Sequence, residues 1–198
     1  MKTICITGLD GSGKSTQVKL LADKLPKSRI VSVWDFIVRP EFQEWSIYKM
    51  PPDVEKYVVN LSPTARSLFI FHAFHESYVR AMNSDVEYLI FDSYWYKYLA
   101  IEEAMGCPKS FSNFLKSQYK EPDFIFYLDL PNKSLPTRKP KISYYESGNK
   151  DKIDYKNFMN IQKNAKSVIE NFLPDKTICI DAEMDVKNIA DMILTLVK

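Results

Sequence analysis

The chain is poor in glycine, with five in 198 residues, and three of the five fall at Gly8, Gly11 and Gly13. So few glycines exclude collagen-like and low-complexity classes. Three cysteines, Cys5, Cys107 and Cys179, stand far apart in the sequence. An odd, dispersed set excludes a disulfide framework and a Cys-rich metal cluster, and reads instead as reduced, buried thiols. Lys and Arg number 27 against 25 Asp and Glu, a formal charge of +2. That is too small an excess to argue for nucleic acid or an anionic membrane surface, so any phosphate affinity is local. No apolar run approaches the roughly 18 residues a bilayer requires. The apolar stretch at the start stops at Gly8 and meets Asp10 and Lys14, which does not fit a secretory leader. The expectation is a cytoplasmic protein forming one domain over residues 1–198, without membrane or nucleic-acid partners.

What is present is an alternation of two patterns. Five short runs, "TICIT" (3–7), "RIVSVW" (29–34), "EYLIFD" (87–92), "DFIFYLDL" (123–130) and "TICIDA" (177–182), are almost continuously apolar. Such runs predict strands covered on both faces. Between them lie segments of helical period, including "STQVKLLADKL", "NFMNIQKNAKSVIENFL" and "DVKNIADMILTLV". In "SPTARSLFIFHAFHESYVRAM", Ser62 as N-cap and Pro63 at the first helical position predict a long helix. The prediction is an α/β three-layer sandwich, a five-stranded parallel sheet with helices on both faces. Two connections, residues 35–61 and 131–152, exceed ordinary loop length and are candidates for functional lids or partly helical insertions, the second with the basic residues of a lid. In open α/β sheets ligands sit at the carboxyl ends of strands, so the loops after Thr7, Trp34, Asp92 and Leu130 face the site.

"GLDGSGKST" (8–16) is where the chemistry starts. Gly8, Gly13, Lys14 and Ser15 satisfy G-x-x-x-x-G-K-[ST], with a strand before and a helix after. Gly8, Gly11, Ser12 and Gly13 let the backbone N–H groups wrap an anion at the positive end of the helix, with Thr16 completing the stretch. Lys14 reaches the outer phosphates and Ser15 can ligate Mg²⁺, so ATP with Mg²⁺ is the expected ligand of this P-loop. A GTPase would carry N-K-x-D; "NKSL" at 132 and "NKDK" at 149 lack its aspartate. Asp92 ends the third apolar run, where a carboxylate can hold Mg²⁺ or cap the following helix. His72 and His75 lack a firm third ligand and read as core packing or acceptor wall. Arg80 and Lys97 could approach an acceptor group, though a solvated helix face is the plainer reading of Arg80.

In order, the P-loop with Asp10, "SLFIFHAFHE", "LIFDSYWY", "PDFIFYLDLP" and Arg138 resemble the thymidylate kinase family of nucleoside monophosphate kinases over nearly the whole chain. The resemblance implies a P-loop kinase that transfers the γ-phosphoryl group of ATP to a nucleotide, most simply dTMP, and assembles as a homodimer. It places Asp10 near the acceptor, Asp92 with Mg²⁺, Phe69 on the acceptor base, Tyr94 beside the acceptor, and Arg138 on the transferring group, flanked by Lys139 and Lys141. Lys14, Arg138 and Asp10 are thus the expected catalytic set. Three positions depart from the family pattern: Trp34 or Asp35, Ala73 and Ser93 stand where it has arginines, and Arg39 is the candidate substitute. Ser or Trp does not replace a bidentate arginine on phosphate. Two alternatives stay open on the residues: a kinase for another acceptor such as a nucleoside, or an ATP-binding regulatory protein without acceptor chemistry.

Overall fold

The computed structural model describes residues 1–33, 35 and 54–198, apart from the side chains of Lys56 and Ser112. Trp34 and Arg39 lie outside the described residues. Five strands form one sheet: β1 (Lys2–Thr7), β2 (Ser28–Val31), β3 (Tyr88–Asp92), β4 (Phe124–Asp129) and β5 (Ile178–Asp181). Every pairing is parallel and the spatial order is β2-β3-β1-β4-β5. The apolar runs predicted as strands are these five, with β1 and β2 each starting one residue earlier than the run, β2 ending three residues sooner, and β3, β4 and β5 shorter by one or two residues.

Parallel strands need crossovers, and the helical segments supply them. The described helices are α1 (Lys14–Lys24), α2 (Val54–Asn60), α3 (Pro63–Met82), α4 (Trp95–Ala104), α5 (Phe111–Gln118), α6 (Leu135–Arg138), α7 (Tyr144–Ser147), α8 (Tyr155–Glu170) and α9 (Val186–Val197), with a 3₁₀ turn at Asn132–Ser134. α3 starts as its sequence dictates, the Ser62 hydroxyl accepting from the Ala65 N–H and Pro63 opening the first turn. None of these helices is long and apolar enough to cross a membrane.

Strand side chains alternate between two cores. On one face Cys5, Phe91, Ile125 and Tyr127 pack against α3, α4 and α8. On the other Ile4, Ile6, Ile90, Phe126 and Leu128 meet α1 and α9. α8 serves both, with Phe158 in the second core and Ile161, Ala165 and Ile169 in the first. Cys5 and Cys107 are buried as expected, but Cys179 is exposed. β5 is an edge strand whose alternate positions Cys179 and Asp181 are uncovered, so continuous hydrophobicity overstated its burial.

The order places β1 in the middle of the sheet, with β3 and β4 on either side. Ile6 is in register with Asp92, and Thr7 with Tyr127. The carboxyl ends of β1, β3 and β4 therefore converge, and a ligand site is expected there.

Candidate active site

The site begins with how the phosphate loop can exist. Gly8 leaves β1 at φ +145°, and a Cβ there would lie 2.6 Å from the Leu128 carbonyl oxygen and 2.9 Å from Ser12 Oγ. Gly13 is the N-cap of α1 at φ +90°, its carbonyl accepting from the Thr16 and Gln17 N–H groups at 3.1 Å each. Only glycine takes these conformations cheaply. Lys14 is buried and donates to the Leu9 carbonyl at 2.7 Å. Burial, reinforced by the nearby Lys97 charge, lowers its ammonium to about 7 despite Asp10 and Asp92. Ser12 Oγ is buried and, among the described residues, has no hydrogen-bond partner. Such an orphan beneath an anion loop fits a polar ligand above it.

A cavity of about 490 Å³ opens over this loop. Its floor is Asp10, Gly11, Gly13, Lys14, Ser15 and Thr16, and Asp92 and Ser93 enter from the end of β3. Arg138, Lys139, Ser143, Tyr145 and Glu146 wall it from the segment 131–152. That segment is folded: the Ser143 and Glu146 side chains cap each other's backbone N–H at the start of α7, and Lys139 pairs with Glu146. Arg138 Nη2 donates to the Ala182 carbonyl at 2.9 Å.

Asp10 is the most constrained group in the cavity. Lys97 Nζ lies 2.8 Å from its Oδ1, Gln162 Nε2 lies 2.8 Å from its Oδ2, and the Asp10 N–H donates to Gln162 Oε1 at 3.1 Å. Burial pushes this carboxyl up, but Lys97, Lys14 and Lys139 outweigh it and hold the group well below the ordinary carboxylate range. Asp10 is therefore a fixed anion beside the phosphate loop. Ser93 is buried at φ +73°, its N–H donating to the Ile6 carbonyl at 2.9 Å. A non-glycine residue in that region is uncommon and clusters at functional sites.

Sequence reading and structure agree on Asp10, Gly11, Gly13, Lys14, Ser15, Thr16, Asp92 and Arg138 as neighbours around one cavity. Tyr94 is elsewhere. Its ring is 1% exposed, packed edge-on to Phe74 and Phe91, and its hydroxyl donates to the Lys120 carbonyl at 2.6 Å. Tyr98, one turn further along α4, lines the cavity instead, with Ile70 and Ile101. Phe69 is half-buried and set edge-on to Tyr57 at 5.8 Å, beside the cavity residue Ile70. The cap of α4 is Tyr94 rather than Asp92. His72 and His75 lie in a separate apolar groove with Leu68, Phe71 and Phe114, so they do not form the acceptor wall. No group of three His, Cys, Asp or Glu side chains among the described residues could hold a metal by itself. Sequence reasoning missed Gln162, Tyr145 and Glu146. Gln162 carried a signal: it interrupts the apolar stripe Phe158, Ile161, Ala165 and Ile169 and is 1% exposed.

Comparison with known proteins matches this architecture. The family model described as "Thymidylate kinase" matches residues 6–193. The chain is similar to a probable thymidylate kinase 1 of Saccharolobus solfataricus, 30% identical over 132 residues and 66% of either chain. It is also similar to a thymidylate kinase of Brachyspira hyodysenteriae, 27% identical over 202 residues, covering 100% of this chain and 93% of the relative. Among solved structures, thymidylate kinase from Candida albicans superposes with a TM-score of 0.72 at 21% identity, covering 99% of this chain and 90% of that one. Deoxyadenosine kinase from M. mycoides with bound dATP gives 0.68 at 22% identity, covering 98% of each chain. The P-loop, the parallel sheet and the matched span together make this chain a member of the thymidylate kinase family.

Proposed function

We propose that the protein is an ATP-dependent dTMP kinase, moving the γ-phosphoryl group of ATP onto the dTMP phosphate and releasing ADP and dTDP. The observation that carries this reading is the meeting of Lys14, Ser15, Asp92 and Arg138 around one cavity, in a chain of the thymidylate kinase family. Phosphoryl transfer asks little covalent chemistry of a protein; it asks for positioning and cationic charge on the transferring group. Residues 1–198 act as one domain, with 131–152 as its lid.

The chain's own groups divide this work. The loop amides and the α1 N-terminus hold the outer phosphates, and Lys14 sets its ammonium against them. Arg138 places guanidinium charge on the equatorial oxygens. Asp10 fixes the acceptor side of the loop, with Phe69 and Arg39 as further acceptor contacts carried by the resemblance. Tyr145 and Glu146 close the lid over the cavity and exclude water, which strengthens every charge interaction inside. Ser15 and Asp92 offer hard oxygen donors to the same cavity and so fit Mg²⁺. When bound, that ion neutralises charge across the phosphate oxygens.

We read the assembly as a cytoplasmic homodimer. In support, the groove between α3 and α5 exposes Leu68 and Phe114 at 57% and 60%. Sedimentation at micromolar protein tests it. The function is tested by coupled ADP release with a panel of dTMP, the other nucleoside monophosphates and thymidine. Turnover is expected with dTMP; turnover with thymidine alone, or with no acceptor, overturns the reading.

A further inference from the structure

The cavity holds four cations among the described residues: Lys14, Lys97, Arg138 and Lys139. Three belong to the phosphate loop and the lid, and each has a local oxygen partner: Leu9 O for Lys14, Ala182 O for Arg138, Glu146 for Lys139. Lys97 is the one cation that enters from α4, on the wall shared by Ser93, Tyr98, Ile70 and Ile101. Ser93, on the same wall, is short, uncharged and 2% exposed. A phosphate-bearing acceptor on that wall has no other described cation to meet.

The Lys97 ammonium spans the gap to the phosphate loop and rests 2.8 Å from Asp10, the two side chains being 16% and 12% exposed. Burial penalises both charges, but their mutual attraction outweighs it, so the free protein holds Lys97 protonated and Asp10 ionised in the open cavity. Asp10 does not need Lys97 to stay in place, since Gln162 already grips its other oxygen and its N–H. Lys97 also sets a second positive charge close enough to Lys14 to depress that ammonium. Two ammonium groups around one carboxylate leave an excess positive charge at the mouth of the phosphate loop, which a further anion can neutralise.

We propose that Lys97 is the acceptor-phosphate ligand of this enzyme, its ammonium held on Asp10 in the free protein and turned to the phosphate of the bound nucleoside monophosphate. The proposal rests on the dTMP kinase reading and names the residue that reads the phosphate. Lys97 acts by binding and positioning, so the acceptor phosphate oxygen meets the transferring group in line.

Calorimetry on the full chain tests it, with dTMP, thymidine and ATP as separate titrants. Lys97→Met and Lys97→Gln should each weaken dTMP at least tenfold, with thymidine and ATP within threefold of wild type. Lys97→Gln keeps a hydrogen-bond donor for Asp10, so it separates lost charge from a disturbed loop. Lys97→Arg should keep dTMP affinity within threefold. Either neutral variant binding dTMP as wild type does, or losing dTMP, thymidine and ATP affinity together, overturns the assignment. Wild-type protein with no dTMP turnover refutes the functional reading itself, whereas wild-type turnover with unaltered neutral variants refutes only Lys97.

Discussion

Tyr145 donates its hydroxyl to Glu102 Oε1 at 2.8 Å, and Glu102 is completely buried. Arg66 Nε and Ser67 Oγ bind the other carboxylate oxygen at 2.9 Å each, so helix α7 is fastened to an ion pair between α3 and α4. A hydrogen bond to a charged group is worth about 1.5–3 kcal/mol. Tyr145→Phe should therefore lower the melting temperature by several degrees, at about 2–4 °C per kcal/mol for a chain of this size. Glu102→Ala should lose about 3–5 kcal/mol by stranding Arg66, which is only 7% exposed at its side chain. Thermal melts that rank the two variants the other way would contradict this arrangement.

Gly8→Ala should be worse than Gly13→Ala. Both require a left-handed or neighbouring backbone, with φ of +145° and +90°, and strain of that kind costs about 1–3 kcal/mol. At Gly8 the new methyl also meets the Leu128 carbonyl at 2.6 Å, and a β4 backbone atom cannot swing aside; at Gly13 nothing lies within 4 Å. Urea midpoints should separate the two, with ATP affinity falling further for Gly8→Ala.

ATP binding should take up protons above neutral pH. Lys14 titrates near 7 in the free protein, so at pH 8 most molecules carry it neutral, and a polyphosphate favours its charged form. Calorimetry in buffers of different ionisation enthalpy should show uptake approaching one proton at pH 8 and little at pH 6. ATP affinity should fall as pH rises from 7 to 9, and Lys14→Ala should abolish the uptake. The depressed ammonium also means the fold binds fewer protons than the unfolded chain between about pH 7 and 10.5. Its contribution to stability therefore rises with pH across that window.

Arg138→Ala should reduce kcat by about 10²-fold or more, the scale for one preorganised donor at a developing charge. The dTMP KM should change little. Arg138→Lys should recover only part, because an ammonium lacks the planar fork. If Arg138 served only to anchor the lid through Ala182, the melting temperature would fall and kcat per folded molecule would not.

Much of this architecture was legible because local chemistry dictated it. Strands buried on both faces must be apolar throughout, and Ser62-Pro63 announces a helix start whatever surrounds it. The phosphate loop was legible for the same reason, since its glycines are demanded by backbone geometry within six residues. Faces and partners were not legible. Tyr94 and Tyr98 are both tyrosines on one helix start, and only packing decides that Tyr94 turns to Lys120 while Tyr98 lines the cavity. The grip on Asp10 joins residues 87 and 152 positions away, which no local pattern encodes. Cys179 was misjudged because edge and central strands share a composition.

The strand made first is the one the sheet needs in its middle. Lys2 pairs with Tyr88, and Ile4 with Phe124, so β1 gains its two neighbours only by closing loops of more than 80 and more than 110 residues. Thr3 and Asp123 confirm the closure, the threonine N–H and hydroxyl both donating to one Asp123 carboxylate oxygen. Pairings so distant in sequence form slowly, because loop closure precedes any reward. The phosphate loop shares that dependence, because Gly8 is shaped against Leu128 of β4, more than a hundred residues further along the chain.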